Sequence, residues 1–211
     1  MRQETVIYNI YKFEELPEGI KKEALDTHRH YSVEDRDWWD YEYEYWNEKL
    51  ENMGYENPDI SFSGFCSQGD GASFTCTIDI EKWIEQNSDN EDYVLLKKWW
   101  DEIEFIVNIH RANYSGNYVH EYTIDIEWNF YAYDLYREWD ASLFPFSKRV
   151  YEKLLNMLDD ITDNMLESAR GEMREIYKSL EKEYEWLTSD ENVAESLKCN
   201  EYEFDENGGI W

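Results

Sequence analysis

Apolar residues recur along this chain with two different periods, and the changes between them mark out the elements. Thr5–Phe13 alternates, with Val6, Tyr8, Ile10 and Lys12 on one side and Ile7, Asn9, Tyr11 and Phe13 on the other. This predicts a strand with apolar groups on both faces, interior to a sheet. Leu16-Pro17-Glu18-Gly19 ends it, and the fixed φ of Pro17 suits the start of a helix in which Ile20, Ala24, Leu25 and His28 keep helical spacing. A second helix is predicted over Asp35–Met53, where Trp38, Trp39, Tyr41, Tyr45, Trp46, Leu50 and Met53 recur at helical intervals and Gly54 takes the C-terminal cap position.

Asn57-Pro58-Asp59 reads as a turn leading into Ile60–Ile80, two strand-forming runs around Gln68-Gly69-Asp70-Gly71, the expected tip of a hairpin. On its second strand Phe74, Cys76, Ile78 and Ile80 share a core face, and Ser73, Thr75, Thr77 and Asp79 the other. Glu81–Gln86 adds a helical turn, Asn87–Asp92 an acidic loop and Glu91–Ile103 a third helix. Phe105–Ala112 and Val119–Tyr131 are further strands, joined by a loop at 113–117; Asp134–Asp140 is ambiguous and Pro145 a break. Ser147–Leu187 carries an apolar series from Val150 to Leu187 in steps of mostly three or four, a long helix in which Gly171 is a candidate bend. A short helix over Ser189–Asn200 precedes the tail Glu201–Trp211, whose Tyr/Phe strand signal and Asn-Gly turn suggest a return to the sheet.

The expected fold class is therefore α+β: a mainly antiparallel sheet, flanking helices and a long C-terminal helix. Its expected division is a core over 1–146 and a helical region over 147–211 with a terminal strand returning to that core, with a single domain as the default for 211 residues.

Charge changes the picture most. Forty-nine Asp and Glu against 20 Lys and Arg leave −29 on a chain that is 42% hydrophobic and 18% aromatic, so it folds against considerable self-repulsion. Nucleic acid and anionic membranes are bound through Lys and Arg, so direct contact with either is not expected; basic surfaces or cations are. The acids concentrate in the second helix. Between residues 34 and 56 nine of them face Arg36 and Lys49, a net −7 among tryptophans and tyrosines. The candidate partner-binding residues are Glu34, Asp35, Asp37, Trp38, Asp40, Glu42, Glu44, Glu48 and Glu51, with a solvated packing helix as the plainer reading.

Candidate chemistry is sparse. The residues Gln68, Gly69, Asp70 and Gly71 are open to three readings: a structural turn, a recognition loop, or a ligand site in which glycines let a phosphate approach the amides or Asp70 helps hold a cation. No Lys-Ser/Thr follows as in a phosphate-binding loop, and no calcium-loop spacing is present. His28, His30, His110 and His120 form no catalytic pattern, and GxSxG, HExxH and GxGxxG are absent. Cys66, Cys76 and Cys199 lack metal-ligand spacing; Cys66 and Cys76 could face each other across the hairpin, but free thiols in a reducing compartment are the better reading. No run approaches the roughly 18 apolar residues of a membrane span. No cofactor, no metal and no enzymatic activity are expected.

The segment FSGFCSQGDGASF at 62–74, with the chain opening and the EYEFDENG tail, resembles a family of acidic, aromatic-rich proteins encoded by bacteriophages and related mobile elements. Members of that family carry an (F/W/Y)SGF-x-SQGDGASF-like segment. The resemblance is specific over Ile60–Phe74 and general elsewhere. It implies a phage or prophage setting, and so the cytoplasm of a bacterial host, without implying any catalytic residue. In that setting the charge points to an inhibitor of the anti-CRISPR or anti-restriction kind, whose carboxylates stand in for DNA phosphates on a basic host nuclease. Two alternatives are an antitoxin-like or regulatory protein docking one partner through its C-terminal helix, which could also pair two copies, and a nucleotide-binding protein using the QGDG loop.

Overall fold

The computed structural model describes residues 1–4, 7–35, 37–87, 105–112, 118–130 and 148–211. The expected acidic loop and third helix, the 113–117 loop and the 131–147 stretch, with the 146/147 division, lie outside them apart from Asn87. The fold is α+β, with antiparallel sheets and a long C-terminal helix. The chain forms two compact units, one of Met1–Tyr41 with Leu180–Trp211 and one of Glu42–Ser179.

In the first unit β1 (Tyr11–Lys12) pairs antiparallel with β6 (Glu203–Phe204), Tyr11 opposite Phe204. The tail does return to a sheet, but to this two-stranded one. Thr5 and Val6 of the expected strand over Thr5–Phe13 lie outside the described residues; from Ile7 on, only Tyr11–Lys12 is a strand, because a partner of two residues can satisfy only two positions of a ladder. Helix α1 (Glu18–His28) follows Pro17, which takes the cap position. Helix α5 (Asp190–Cys199) is capped by Ser189, whose hydroxyl accepts from the Asn192 amide at 3.2 Å. Phe13, Leu16, Ala24, Val193, Leu197 and Phe204 form the core. Arg29 ties α1 to α5: its guanidinium lies 2.7 Å from both Asp26 and Asp190 and donates to the Thr188 carbonyl at 2.8 Å. These carboxylates raise its pKa further.

The second unit is built on a four-stranded sheet in the order β2-β3-β4-β5, all antiparallel. The strands are β2 (Tyr55–Phe62), β3 (Ala72–Ile78), β4 (Phe105–Arg111) and β5 (Ile124–Phe130). Asn57-Pro58-Asp59 is not a turn before β2 but an irregularity within it: the register shifts between Glu56 and Asp59, and Asn57 has φ 49°. Proline donates no ladder bond, and a bulge accommodates it. Phe74, Cys76 and Ile78 are buried as expected, whereas Ser73, on the face expected to meet water, is buried too. Ile80, expected to continue the strand, is buried at the start of the helix Ile80–Gln86, because β3 ends at Ile78. The expected strand from Val119 starts late, because Glu121–Thr123 form a 3₁₀ turn first.

Helix α2 (Asp40–Asn52) begins five residues after its expected start. Trp38 and Trp39 pack edge to face at 5.4 Å and Trp38 meets Tyr184 at 5.8 Å, in a turn rather than a helix. Gly54, at φ 94°, ends the helix region and accepts the Asp79 amide at 2.8 Å; Asp79 then caps α3 (Ile80–Gln86) by accepting from Lys82. Helix α4 (Lys148–Leu187) runs unbroken for 40 residues, through Gly171. Its apolar stripe, Met157, Leu158, Ile161, Met165, Ala169, Met173, Ile176 and Leu180, is at most 7% exposed. On the same helix Ser168 accepts from the phenol of the fully buried Tyr55 on β2 at 3.3 Å.

Candidate functional site

Two regions hold the residues singled out from the sequence, and the compact units divide the first. Glu34, Asp35, Asp37 and Asp40, all exposed, and half-buried Trp38 belong to the first unit; Glu42, Glu44, Glu48 and Glu51 belong to the second.

In the second unit, one turn-by-turn stripe of α2 is acidic. Glu44, Glu48 and Glu51 are exposed at i, i+4, i+7 spacing, which puts them on one face. Glu42 behaves differently: it is half-buried and accepts a short hydrogen bond from the Ser179 hydroxyl. Lys49, the only cation of α2, is turned away from the stripe. Its ammonium pairs with Glu172 of α4 at 3.1 Å and lies 4.0 Å from the ring centre of Trp46. The outer face is left without a neutralising charge of its own helix. At its C-terminal end Glu51, Glu56, Asn57, Asp79 and Lys82 line a groove of about 270 Å³. Lys82 is held across it, donating to the Glu51 carbonyl at 2.6 Å.

The second region is the loop at 63–71. It is wider than the expected four-residue tip, because the strands stop at Phe62 and resume at Ala72. Asp70 organises it from within: one carboxylate oxygen accepts from the amides of Cys66 at 2.8 Å and Ser67 at 2.6 Å. Those amides, which a bound phosphate would use, already hold an anion. Gln68 and Gly69 form the exposed tip, with Gly69 at φ 103° beside the Tyr118 ring, and Gly71 is buried against His120. Ser63 donates to the Val119 carbonyl at 3.0 Å, and Tyr177 of α4 donates to the Gly64 carbonyl at 3.1 Å.

Sequence reasoning missed the loop's surroundings. His120 Nδ1 lies 2.9 Å from Glu121, whose other oxygen is 3.9 Å from Arg174; Arg170 donates to the Glu121 carbonyl at 3.3 Å and stands over the Tyr122 ring. The ring nitrogen also receives the Tyr122 amide at 3.3 Å, so its contact with Glu121 is a hydrogen bond only when Nδ1 is protonated. No local pattern links these residues to the loop, which chain folding alone brings to them. The Asp79 cap with Lys82 three residues on was the one readable sign of the groove.

Cys76 is buried and Cys66 and Cys199 exposed, all as free thiols. Burial pushes the Cys76 thiol up to about 12 and raises the Tyr55 phenol. Among the described residues no group of three or more His, Cys, Asp or Glu is arranged to hold a metal ion, and no helix is long and apolar enough to cross a membrane.

Residues 38–190 match the model of a domain of unknown function, DUF8835, and the chain belongs to that family. The match takes in both the acidic stripe and the 63–71 loop. No curated protein and no solved structure matches the chain.

Proposed function

We propose that this is a binding protein, acting without catalysis, whose acidic α2 face engages the basic surface of a nucleic-acid-binding partner. The setting we propose is a phage or prophage in a bacterial cytoplasm, and the partner a host defence nuclease. The observation that carries this reading is the inward turn of Lys49 onto Glu172 and Trp46, which leaves Glu44, Glu48 and Glu51 on one exposed face with no cation of their own helix beside them. Those three carboxylates span about 10 Å of helix, roughly one charge per 5 Å, against about one per 3.4 Å along a single DNA strand. The density is enough to compete for a phosphate-binding track, and the groove beyond Glu51 extends it. Two observations weigh against the alternatives. The apolar stripe of α4 is already buried within the chain, and Asp70 fills the amides a nucleotide phosphate would need.

The test compares two triple variants of equal net charge. Glu44→Gln with Glu48→Gln and Glu51→Gln removes the stripe; Glu23→Gln with Glu185→Gln and Glu195→Gln removes exposed acids elsewhere. Against a panel of CRISPR and restriction nucleases, DNA binding by the sensitive enzyme should be blocked by the wild-type chain and by the second variant, and restored in the first. Equal loss in both variants, or a panel with no sensitive nuclease, sinks the reading.

A further inference from the structure

The first unit has no disulfide open to it, because Cys199 is its one cysteine, yet it holds another pair of oxidisable side chains in contact. The Tyr202 hydroxyl donates to the Tyr31 hydroxyl at 2.9 Å, and the two rings meet edge to face at 5.9 Å. Tyr31 is 50% exposed and Tyr202 half-buried, so a small oxidant reaches the pair from solvent. Both backbones are held in place. Tyr31 opens the 3₁₀ turn Tyr31–Val33, closed by the Val33 amide on the His30 carbonyl at 2.9 Å. Tyr202 follows α5, donates its amide to the Leu197 carbonyl at 3.2 Å and packs against the core that contains Leu197 and Phe204.

Contact of this kind changes what oxidation does. Two phenoxyl radicals in solution must first find each other, whereas two already held together couple without that encounter. Removal of one electron from Tyr202 releases its proton along the hydrogen bond to the Tyr31 oxygen and on to water. Removal of an electron and a proton from Tyr31 gives the second radical. The unpaired electrons, shared in each ring with the Cε carbons beside the hydroxyl-bearing carbon, pair as a new Cε–Cε bond. The hydrogens on those two carbons then move as protons to the oxygens, which restores both hydroxyls. The pair has lost two protons and two electrons, and one hydrogen peroxide takes them up in becoming two waters. In the product the hydroxyls lie within hydrogen-bond reach of each other, as they already do here, so only the ring edges have to close. We propose that Tyr31 and Tyr202 form an oxidative cross-linking site, at which hydrogen peroxide, activated by a haem peroxidase, joins them as a dityrosine that staples the turn after α1 to the tail after α5. This rests on residues other than the α2 face, so either reading can fail alone.

The test treats the full chain, dilute enough that chains seldom meet, with hydrogen peroxide and a catalytic amount of a haem peroxidase. Dityrosine fluorescence should appear in chains that stay single on denaturing electrophoresis. Digestion should then yield a peptide pair joined through Tyr31 and Tyr202, two hydrogens lighter than its parts. Tyr31→Phe and Tyr202→Phe, which keep each ring, should each abolish that pair, and Tyr41→Phe, at a 78% exposed position, should leave its yield unchanged. Unfolding the chain in urea before oxidation should remove the pair as well. The cross-linked chain should unfold at a higher urea midpoint, because the link joins residues far apart in sequence. Cross-links among other tyrosines only, dityrosine found only between chains, or a yield that neither the Phe variants nor urea lowers would each overturn the proposal. So would a midpoint that does not rise, since the link would then staple nothing.

Discussion

Cys76 shows how much one residue's surroundings can be made to report. It sits on β3 at 8% exposure, and burial pushes its thiol from the ordinary 9.0 up to about 12. A thiol whose pKa is raised by folding favours the folded state while both forms are protonated. That contribution is complete below the unfolded value and is lost as pH rises from it toward the folded one. Between pH about 9 and about 12 the chain should lose about 1.4 kcal/mol per pH unit through this group, with Tyr55 adding in the same direction. Urea midpoints measured across the lower half of that window should fall more steeply for the wild type than for Cys76→Ala. Parallel slopes would mean that the thiol is not shielded from water. In the native state, thiol reagents should meanwhile reach Cys66 and Cys199 and spare Cys76.

At the scale of elements, the 63–71 loop is held by its seat rather than by its tip. A Cβ on Gly71 would lie 2.8 Å from the His120 ring and 3.0 Å from the His120 Cα, and the second of these is backbone that cannot swing aside. Gly71→Ala should therefore cost about 1–3 kcal/mol in chemical denaturation. Gly19→Ala, in α1 with nothing within 4 Å, should be neutral or stabilise by up to about 1 kcal/mol. Similar effects for the two would show that the loop does not rest on His120. What could be read beforehand follows the same divide between local and distant causes. The stripe of α4 and the alternation of β3 were legible because burial imposes its period on the sequence itself. The overlong first strand was not, because its true length is set by β6, nearly the whole chain away. Neither was the late start of α2, where Trp38 answers to Tyr184 more than to helix propensity. For the candidate site, the acidity of α2 was plain, whereas the inward turn of Lys49 depended on Glu172 of α4. Asp70 could be picked out, but not the two amides it holds.

At the scale of the whole molecule, the same −29 enters folding and partner binding with opposite signs, and salt separates them. Like charges brought together by folding repel, so screening stabilises the native state; opposite charges brought together by binding attract, so screening weakens the complex. The Debye length shrinks from about 30 Å at 0.01 M to about 3 Å at 1 M salt, wide enough to span the change. Over that range the melting temperature of the free chain should rise. A fall would mean that local pairs such as Lys49–Glu172 and Arg29 with Asp26 and Asp190 outweigh the net repulsion. If the charge served solubility alone, rising stability would be its only salt signature. If it also serves recognition through Glu44, Glu48 and Glu51, nuclease inhibition should weaken over the same titration in which the free chain gains stability. Neutralising that stripe should flatten the inhibition curve and leave the stability curve about as steep as that of the control variant of equal charge.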